Sequence, residues 1–160
     1  MIVILMGVTG VGKTTIGQEL ARELGWHFAD ADDYHSAANV EKMRSGIALT
    51  DADRDPWLQA LHDAIADWVG KGESVVLACS ALKESYRKRL VVGREVRLVF
   101  LHADIKLVTA RLAARRSHYM NPVLLQSQFD TLEAPEDALA IDVSDSITGV
   151  VASIRAALGV

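Results

Sequence analysis

The stretch GVTGVGKT, residues 7–14, carries the clearest chemical signal in the chain. Gly7, Gly12, Lys13 and Thr14 match the pattern G-x-x-x-x-G-K-[ST] of a phosphate-binding loop. In such a loop, backbone N–H groups point inward at phosphate oxygens, and the following helix adds the positive end of its dipole. We expect Lys13 to reach the β- and γ-phosphates of the nucleotide, with a catalytic role, and the Thr14 hydroxyl to ligate Mg²⁺. The residues expected to bind the nucleotide are Gly7, Val8, Thr9, Gly10, Val11, Gly12, Lys13, Thr14 and Thr15.

Other segments narrow the class of nucleotide-binding protein. A GTPase would need an Asn-Lys-x-Asp segment to read guanine, and the sequence contains none. An ATPase motor would need an apolar strand that ends in a metal-binding Asp, whereas the apolar run SVVLAC, residues 74–79, is followed by Ser80. These observations favour a small kinase.

An acidic stretch, FADAD at residues 28–32, supplies carboxylates that a kinase could use. Asp30 and Asp32 are two residues apart, so in an extended chain both would point to one face. A carboxylate can orient the acceptor hydroxyl and take its proton, and we assign this catalytic and substrate-binding role to Asp32. We expect Asp30 to hold or position the metal. The alternative is a solvated acidic loop or a helix cap.

Polar and cationic side chains that could bind an anionic acceptor follow the predicted third strand. Ser80 would lie at the carboxyl end of that strand, where ligand contacts gather. Lys83 and Arg87 are four residues apart on the next predicted helix, so they share a face that would suit a carboxylate, unless that face is simply solvated. Farther along, Arg111 and Arg115 also share a helix face, and they either stabilise a helix C-terminus or belong to a lid.

The elements that must position these residues alternate between strands and helices. Strands are predicted at apolar runs, residues 2–6, 26–30, 74–79, 96–101 and 139–143. Helices are predicted at residues 13–24, 37–45, 81–90, 104–116 and 146–158, and from Asn121-Pro122 to before Pro135. A further helix is predicted around Pro56, which would lie in its first turn, with Thr50 or Asp55 as the N-cap. The apolar stripe of residues 57–69, with Trp57, is interpreted as core or dimer surface. The alternation predicts an α/β fold, a three-layer α/β/α P-loop NTPase with a five-stranded parallel sheet and a short helical lid.

The composition bounds the class of protein further. The chain has 160 residues, half of them apolar and 24% charged, which predicts one globular domain over residues 1–160. The net charge of −4 argues against a nucleic-acid or membrane partner. The one cysteine, Cys79, excludes an internal disulfide and favours a cytoplasmic location. The apolar start is too short for a signal peptide or a membrane span.

Longer motifs make the chain resemble one kinase family in detail. The phosphate-binding loop, the F-x-D-x-D pattern, HSAANVEKMRSG, LTDADRDPWLQAL, CSALKESYR and QFDTLEAP together look like the gluconokinase family, small carbohydrate kinases related to shikimate and adenylate kinases. The resemblance runs from Ile4 to about Ala152 and is most specific at residues 39–62 and 79–87. It implies phosphorylation of D-gluconate at the C6 hydroxyl by ATP, giving 6-phospho-D-gluconate and ADP. It also implies a homodimer and a mobile lid at about residues 111–125.

The resemblance assigns substrate contacts to individual residues. Arg54 would contact the substrate, although an ion pair with Asp51 or Asp53 is the alternative. His35 and Asn39 could contact the sugar acid, or Asn39 could only cap a turn.

Two lid arginines take their roles from the same resemblance. Arg111 would bind the phosphates and act in catalysis, and Arg115 would bind phosphate or adenine. One departure from the family pattern is Ser36-Ala37-Ala38 after His35, where relatives tend to have proline and then a basic residue. The alternative functions are a kinase for another small hydroxy acid, such as shikimate, and a nucleotide-binding module without turnover.

Overall fold

A five-stranded parallel sheet lies at the centre of the structure, a computed structural model that describes residues 1–115 and 122–160. Its strands are β1 Ile2–Met6, β2 His27–Asp30, β3 Val75–Ala78, β4 Val96–His102 and β5 Leu139–Asp142. They lie in the order β2-β3-β1-β4-β5, and every neighbouring pair is parallel. The predicted five-stranded parallel sheet is therefore confirmed.

The central strand is β1, and its composition explains that position. All of its residues are fully buried. Ile2 pairs with Val75 of β3 on one side and with Val96 of β4 on the other. A strand buried on both faces needs an unbroken apolar run, which the first residues supply. Because the strands are parallel, the segments that follow β1, β2 and β3 all emerge at the same edge of the sheet.

Helices cover both faces of the sheet, as predicted. The α-helices are α1 Lys13–Leu24, α2 Ala37–Arg44, α3 Asp51–Gly70, α4 Glu84–Leu90, α5 Ile105–Ala114, α6 Pro122–Thr131 and α7 Ile147–Leu158. One face of β1 buries Val3 and Leu5 in a core shared with α1 and α7, and the other buries Ile2 and Ile4 in a core shared with α3. Within residues 1–115 and 122–160, no helix is both long and apolar enough to cross a membrane.

The start of α3 differs from the prediction in part. Thr50 is the N-cap, and it forms a capping box: Asp53 N donates to Thr50 Oγ1 at 3.1 Å, and Thr50 N donates to Asp53 Oδ2 at 2.9 Å. The helix therefore begins at Asp51. Pro56 lies in its second turn instead of its first, and Asp55, the other candidate cap, lies inside the helix.

The start of α4 also differs. Ala81 has a left-handed backbone, with φ of 45°, which a right-handed helix does not allow. Residues 81–83 therefore form a loop, and α4 begins at Glu84.

The predicted lid is described only in part. Helix α5 ends at Ala114, and α6 begins at Pro122. Residues 116–121 lie outside the described residues, and with them the predicted helix end at Arg116 and the predicted restart at Asn121.

Candidate active site

A cavity of about 720 Å³ opens beyond the carboxyl ends of β1, β2 and β3. Ligands bind at this edge of the sheet in open α/β folds. The walls come from the phosphate-binding loop, the segments after β2 and β3, the start of α3, and α6. The predicted site residues that line the cavity are Thr9, Gly10, Gly12, Lys13, Thr14, Thr15, Asp30, Asp32, His35, Arg54, Ser80 and Arg115.

The structure does not bring the other predicted site residues to this cavity. Those buried in the phosphate-binding loop are Gly7, Val8 and Val11. Those whose side chains bind other parts of the protein are Asn39, Lys83, Arg87 and Arg111.

Gly7 determines how closely the phosphate-binding loop approaches the sheet. Its φ is 147°, and a Cβ atom at this position would overlap the carbonyl oxygen of Leu101 in β4. Since that oxygen belongs to the backbone of the sheet, only glycine fits here. Gly12, with φ of 95°, precedes α1, and the first turn of that helix lines the cavity. An anion in the cavity would thus meet the N-terminal end of α1.

Lys13 folds back over its own loop. Its Nζ donates to the carbonyl oxygens of Gly7 at 2.9 Å and Val8 at 3.0 Å. Burial lowers the pKa of Lys13 to about 8, against the opposing charges of Asp32 and Asp30. The ammonium group therefore lies in a poorly solvated place where phosphate oxygens would stabilise its charge.

Thr14 and Asp30 present two oxygens to the cavity that suit a magnesium ion. Thr14 Oγ1 donates to Asp30 Oδ2 at 3.2 Å. Among the residues that the structure describes, no group of three or more His, Cys, Asp and Glu side chains could hold a metal. Mg²⁺ prefers oxygen ligands and completes its shell with water and substrate phosphates, so one carboxylate and one hydroxyl fit this ion.

Asp32 reaches the cavity by a route that the sequence did not predict. The chain is not extended after Asp30: residues Ala31–Tyr34 form a short 3-10 helix, and Asp32 N donates to Asp30 Oδ1 at 2.9 Å. Both carboxylates nevertheless line the cavity. The Asp32 side chain is 76% exposed within this open space. Desolvation by the surrounding walls, together with the charge of Asp30, raises the pKa of Asp32, and Lys13 opposes this shift.

His35 lies between an aromatic ring and an amide. Its ring stacks on Trp57, with centroids 4.4 Å apart and planes inclined by 10°. The indole Nε1 of Trp57 donates to the carbonyl oxygen of Ala31 at 2.7 Å. Buried Asn39 places Nδ2 3.3 Å from His35 Nδ1. Burial, and then the positive charge of Arg54, lower the pKa of His35 to about 4, so the imidazole is uncharged near neutral pH.

Arg54 belongs to a small network of charges at the cavity wall. Its Nη1 donates to the hydroxyl of Tyr86 at 3.2 Å and lies 4.0 Å from Asp51 Oδ1. Lys83 Nζ lies 3.1 Å from the same carboxylate, and the Tyr86 hydroxyl donates to it. The predicted ion pair of Arg54 is therefore present with Asp51, at long range, while Asp53 serves the capping box. Two cations thus share one exposed carboxylate beside the cavity.

Arg87 supports a loop instead of lining the cavity. Its guanidinium is buried and donates to the carbonyl oxygens of Ala81 at 2.9 Å, Leu82 at 3.1 Å and Glu133 at 2.7 Å. These bonds hold the left-handed turn at Ala81 in place. The predicted cationic face of Lys83 and Arg87 does not form, because Lys83 precedes α4 with an extended backbone.

The two lid arginines point to different places. Arg115 lines the cavity, and its positive charge contributes to the lowered pKa of Lys13. Arg111 Nη2 donates to the carbonyl oxygen of Val143, just beyond β5, at 2.5 Å. In this arrangement Arg111 links α5 to the end of the sheet.

Among the lining residues that sequence reasoning did not assign to the site, Gln128 and Trp57 form hydrogen bonds or ring contacts with predicted site residues. Gln128 of α6 accepts a hydrogen bond from Thr9 N at 2.7 Å and so links α6 to the phosphate-binding loop. Trp57 lines the cavity as well as the core. Trp57 could have been found, because it follows Arg54 by three residues and helical residues at this spacing share a face. Gln128 had no local signal, since its partner is 119 residues away.

The chain is similar over most of its length to known kinases. The family model described as shikimate kinase matches residues 9–148. A probable gluconokinase of Xenopus tropicalis is 44% identical over 174 residues, which covers 97% of this chain and 92% of the relative. The gluconokinase of Gluconobacter oxydans is 48% identical over 136 residues, 84% of this chain and 76% of the relative. The crystal structure of a gluconokinase from Sinorhizobium meliloti superposes with a TM-score of 0.89 at 37% identity, covering 98% of this chain and 90% of that one.

Proposed function

Because the chain belongs to the shikimate kinase family, and within it to the gluconokinases, we propose that it transfers the γ-phosphate of ATP to the C6 hydroxyl of D-gluconate. The products are ADP and 6-phospho-D-gluconate. One observation carries this proposal: Lys13, Asp32 and Arg54 line a single cavity. A phosphate-binding loop, a carboxylate and a cation thus surround one space, which is what phosphorylation of a hydroxylated acid requires.

The donor phosphates occupy the side of the cavity formed by the loop. Backbone N–H groups of the loop and of the first turn of α1 bind phosphate oxygens. Lys13 leaves the carbonyl oxygens of Gly7 and Val8 for the β- and γ-phosphates, where its charge stabilises the transferring group. Arg115 adds a second positive charge from the end of α5.

Thr14 and Asp30 are the residues that would hold Mg²⁺. The hydroxyl and the carboxylate lie side by side at the start of α1 and the end of β2. When bound there, the ion would neutralise part of the negative charge on the phosphates.

The acceptor occupies the opposite side of the cavity. Asp32 accepts the proton of the C6 hydroxyl as that oxygen attacks the γ-phosphorus. Arg54, with Lys83 behind it, binds the carboxylate at the far end of the gluconate chain. The distance between Asp32 and Arg54 therefore favours an acceptor whose hydroxyl and carboxylate lie at opposite ends of its chain.

An acceptor panel in a coupled ADP-release assay tests the function. We expect D-gluconate to be preferred over shikimate, and over D-glucose, which offers a C6 hydroxyl but no carboxylate. Preference for shikimate would indicate a different small-acid kinase. ATP binding without acceptor-dependent ADP release from any acid would indicate a binding module without turnover.

Arg54 gives the panel an internal check. Arg54→Gln should raise the KM for gluconate by about 10–100-fold, because a charged hydrogen bond is lost, and leave the KM for ATP unchanged. Arg89→Gln is the matched control, since Arg89 pairs with Asp55 and does not line the cavity. An unchanged gluconate KM in Arg54→Gln would remove Arg54 from the substrate site.

Three further expectations complete the proposal: the resemblance implies a homodimer and a lid, and the single cysteine favours a cytoplasmic location. We expect a homodimer, to be measured by sedimentation, and a cytoplasmic location, to be measured by cell fractionation. The lid at about residues 111–125 is expected to close over ATP.

A further inference from the structure

The hydrogen-bond partners of Asn39 determine which nitrogen of His35 carries the proton. Asn39 Nδ2 lies 2.8 Å from the carbonyl oxygen of Asp53, which can only accept. The amide NH₂ group must therefore face this carbonyl, since the opposite orientation would place two acceptors together. The second N–H of the same NH₂ group then points to His35 Nδ1, 3.3 Å away. Nδ1 is thus an acceptor, and the ring proton lies on Nε2.

Trp57 fixes the plane of the same ring. The imidazole stacks almost parallel on the indole, so the direction of Nε2–H is set by Trp57 as well as by Asn39. Trp57 also donates to the carbonyl oxygen of Ala31, which begins the 3-10 helix that carries Asp32. One indole therefore holds both the His35 ring and the backbone next to Asp32.

The protonated nitrogen, Nε2, lies near the carboxylate of Asp32. Nε2 and Asp32 Oδ1 are 4.0 Å apart, too far for a direct hydrogen bond. The 4.0 Å separation allows one bridging oxygen atom, about 2.8 Å from each of them and off the line between them. A hydroxyl at this point would accept from Nε2–H and donate to Oδ1, which leaves its remaining lone pair free.

From these contacts we propose that His35 is an uncharged hydrogen-bond donor to the acceptor hydroxyl, and that Asn39 and Trp57 are positioning residues that fix its tautomer and its direction. The inference rests on the proposed function and deepens it. Asn39, which the sequence placed in the substrate site, thus acts through His35.

The neutral state of His35 matters for the transfer. An imidazolium would pair with Asp32 and weaken it as a base. In the transfer, the hydroxyl oxygen bonds to the γ-phosphorus, the bond from the γ-phosphorus to the β,γ-bridging oxygen breaks to release ADP, and the hydroxyl proton passes to Asp32. His35 keeps its proton throughout.

The tautomer is measured directly by ¹⁵N NMR of the free protein labelled at histidine. His35→Gln identifies the His35 signals among those of the five histidines. We expect a protonated Nε2 and an unprotonated Nδ1 in the wild type, and a mixture of tautomers in Asn39→Ala. A protonated Nδ1 in the wild type would overturn the inference whatever the kinetics.

Kinetics separate the positioning role of Asn39 from a structural one. Asn39→Ala should lower kcat/KM for gluconate by about 3–10-fold, in the range of one lost hydrogen bond, with the KM for ATP unchanged. Ser36→Ala is the matched control, because Ser36 Oγ caps α2 by accepting from Asn39 N and does not reach the His35 ring. An equal loss of kcat/KM in Ser36→Ala would mean that lower stability of α2 alone explains the effect of Asn39→Ala.

Two substitutions of His35 test the direction of the donor. The amide nitrogen of glutamine falls near the place of Nε2, and that of asparagine near the place of Nδ1. His35→Gln should keep kcat/KM within about 5-fold, whereas His35→Asn should lose about 10–100-fold. Equal losses with intact gluconate turnover in the wild type would refute this inference alone, whereas a wild type without gluconate turnover would refute the proposed function.

Discussion

The two ends of the cavity are built in different ways. The phosphate end is built mainly from one continuous segment, residues 7–15, in which Lys13 binds the carbonyl groups of its own loop. The acceptor end gathers Asp32, His35, Arg54 and Trp57; the side chains of the last three contact other side chains or the carbonyl of Ala31, and Asp32 is placed through its backbone N–H. Backbone shape therefore defines the first end, and a network of side chains defines the second. Substitutions should impair donor binding at the first end and acceptor chemistry at the second.

Asp32 offers the largest test of this division. Asp32→Asn should lower kcat by about 10²–10⁴-fold, because the acceptor hydroxyl loses its base, while ATP still binds. Steady-state kinetics and nucleotide titration measure the two effects. Asp33→Asn is the control, since Asp33 is exposed and does not line the cavity. Undiminished turnover in Asp32→Asn would show that Asp32 is not the base for the acceptor hydroxyl.

Lys13 tests the other end. Lys13→Ala should lower kcat/KM for ATP by about 10²–10³-fold, because the charge that stabilises the transferring phosphate is lost. Arg22→Ala, on the exposed face of the same helix, should leave it unchanged, since Arg22 pairs with neighbouring Glu19 and does not line the cavity. Wild-type rates in Lys13→Ala would contradict the role of the loop.

Substitution of Arg87 distinguishes a residue that stabilises the acceptor end from one that contacts the substrate. Arg87→Met should lower the free energy of unfolding by about 2–4 kcal/mol, because three carbonyl groups, two of them in buried hydrogen bonds, lose a charged donor. Urea unfolding measures this loss, and the gluconate KM at a temperature where the variant is folded should change less than about 2-fold. Lys88→Met, exposed on the same helix, should change stability by less than about 0.5 kcal/mol. A rise of the KM without loss of stability would restore Arg87 as a substrate ligand.

Asp51 should give the smallest effect. Asp51 shares Lys83 and Arg54 with the incoming carboxylate, so Asp51→Asn should lower the KM for gluconate by up to about 5-fold at low salt. The effect should fade as ionic strength rises. Asp55→Asn is a close match, because Asp55 lies on the same helix, is similarly exposed and pairs with Arg89 away from the cavity. A fall of equal size in both variants would mean that only net charge matters.

The same division explains what the sequence could predict. The phosphate-binding loop and the sheet follow from local patterns: the glycines around Lys13 and the apolar runs of the strands. Asn39 and Arg87 had the right chemistry for substrate ligands, but carbonyl oxygens 14 and 46 residues away bind their donors. A sequence shows which hydrogen-bond donors a side chain carries, but it does not show which distant backbone carbonyl group will accept from them. The sequence predicts that Asp30 and Asp32 lie on the same side of an extended chain. They do lie in the same cavity, but a 3-10 turn, not an extended strand, places Asp32 there.

The stacked pair of Trp57 and His35 gives the acceptor end an optical probe of its own. The two rings are in van der Waals contact, so the fluorescence of the indole depends on the position of the imidazole. Trp26 and Trp68 pack against the two cores and do not line the cavity, so replacing both with phenylalanine leaves Trp57 as the single tryptophan. In that background, sugar acids and nucleotides could be titrated separately by emission alone, without turnover and without an attached dye.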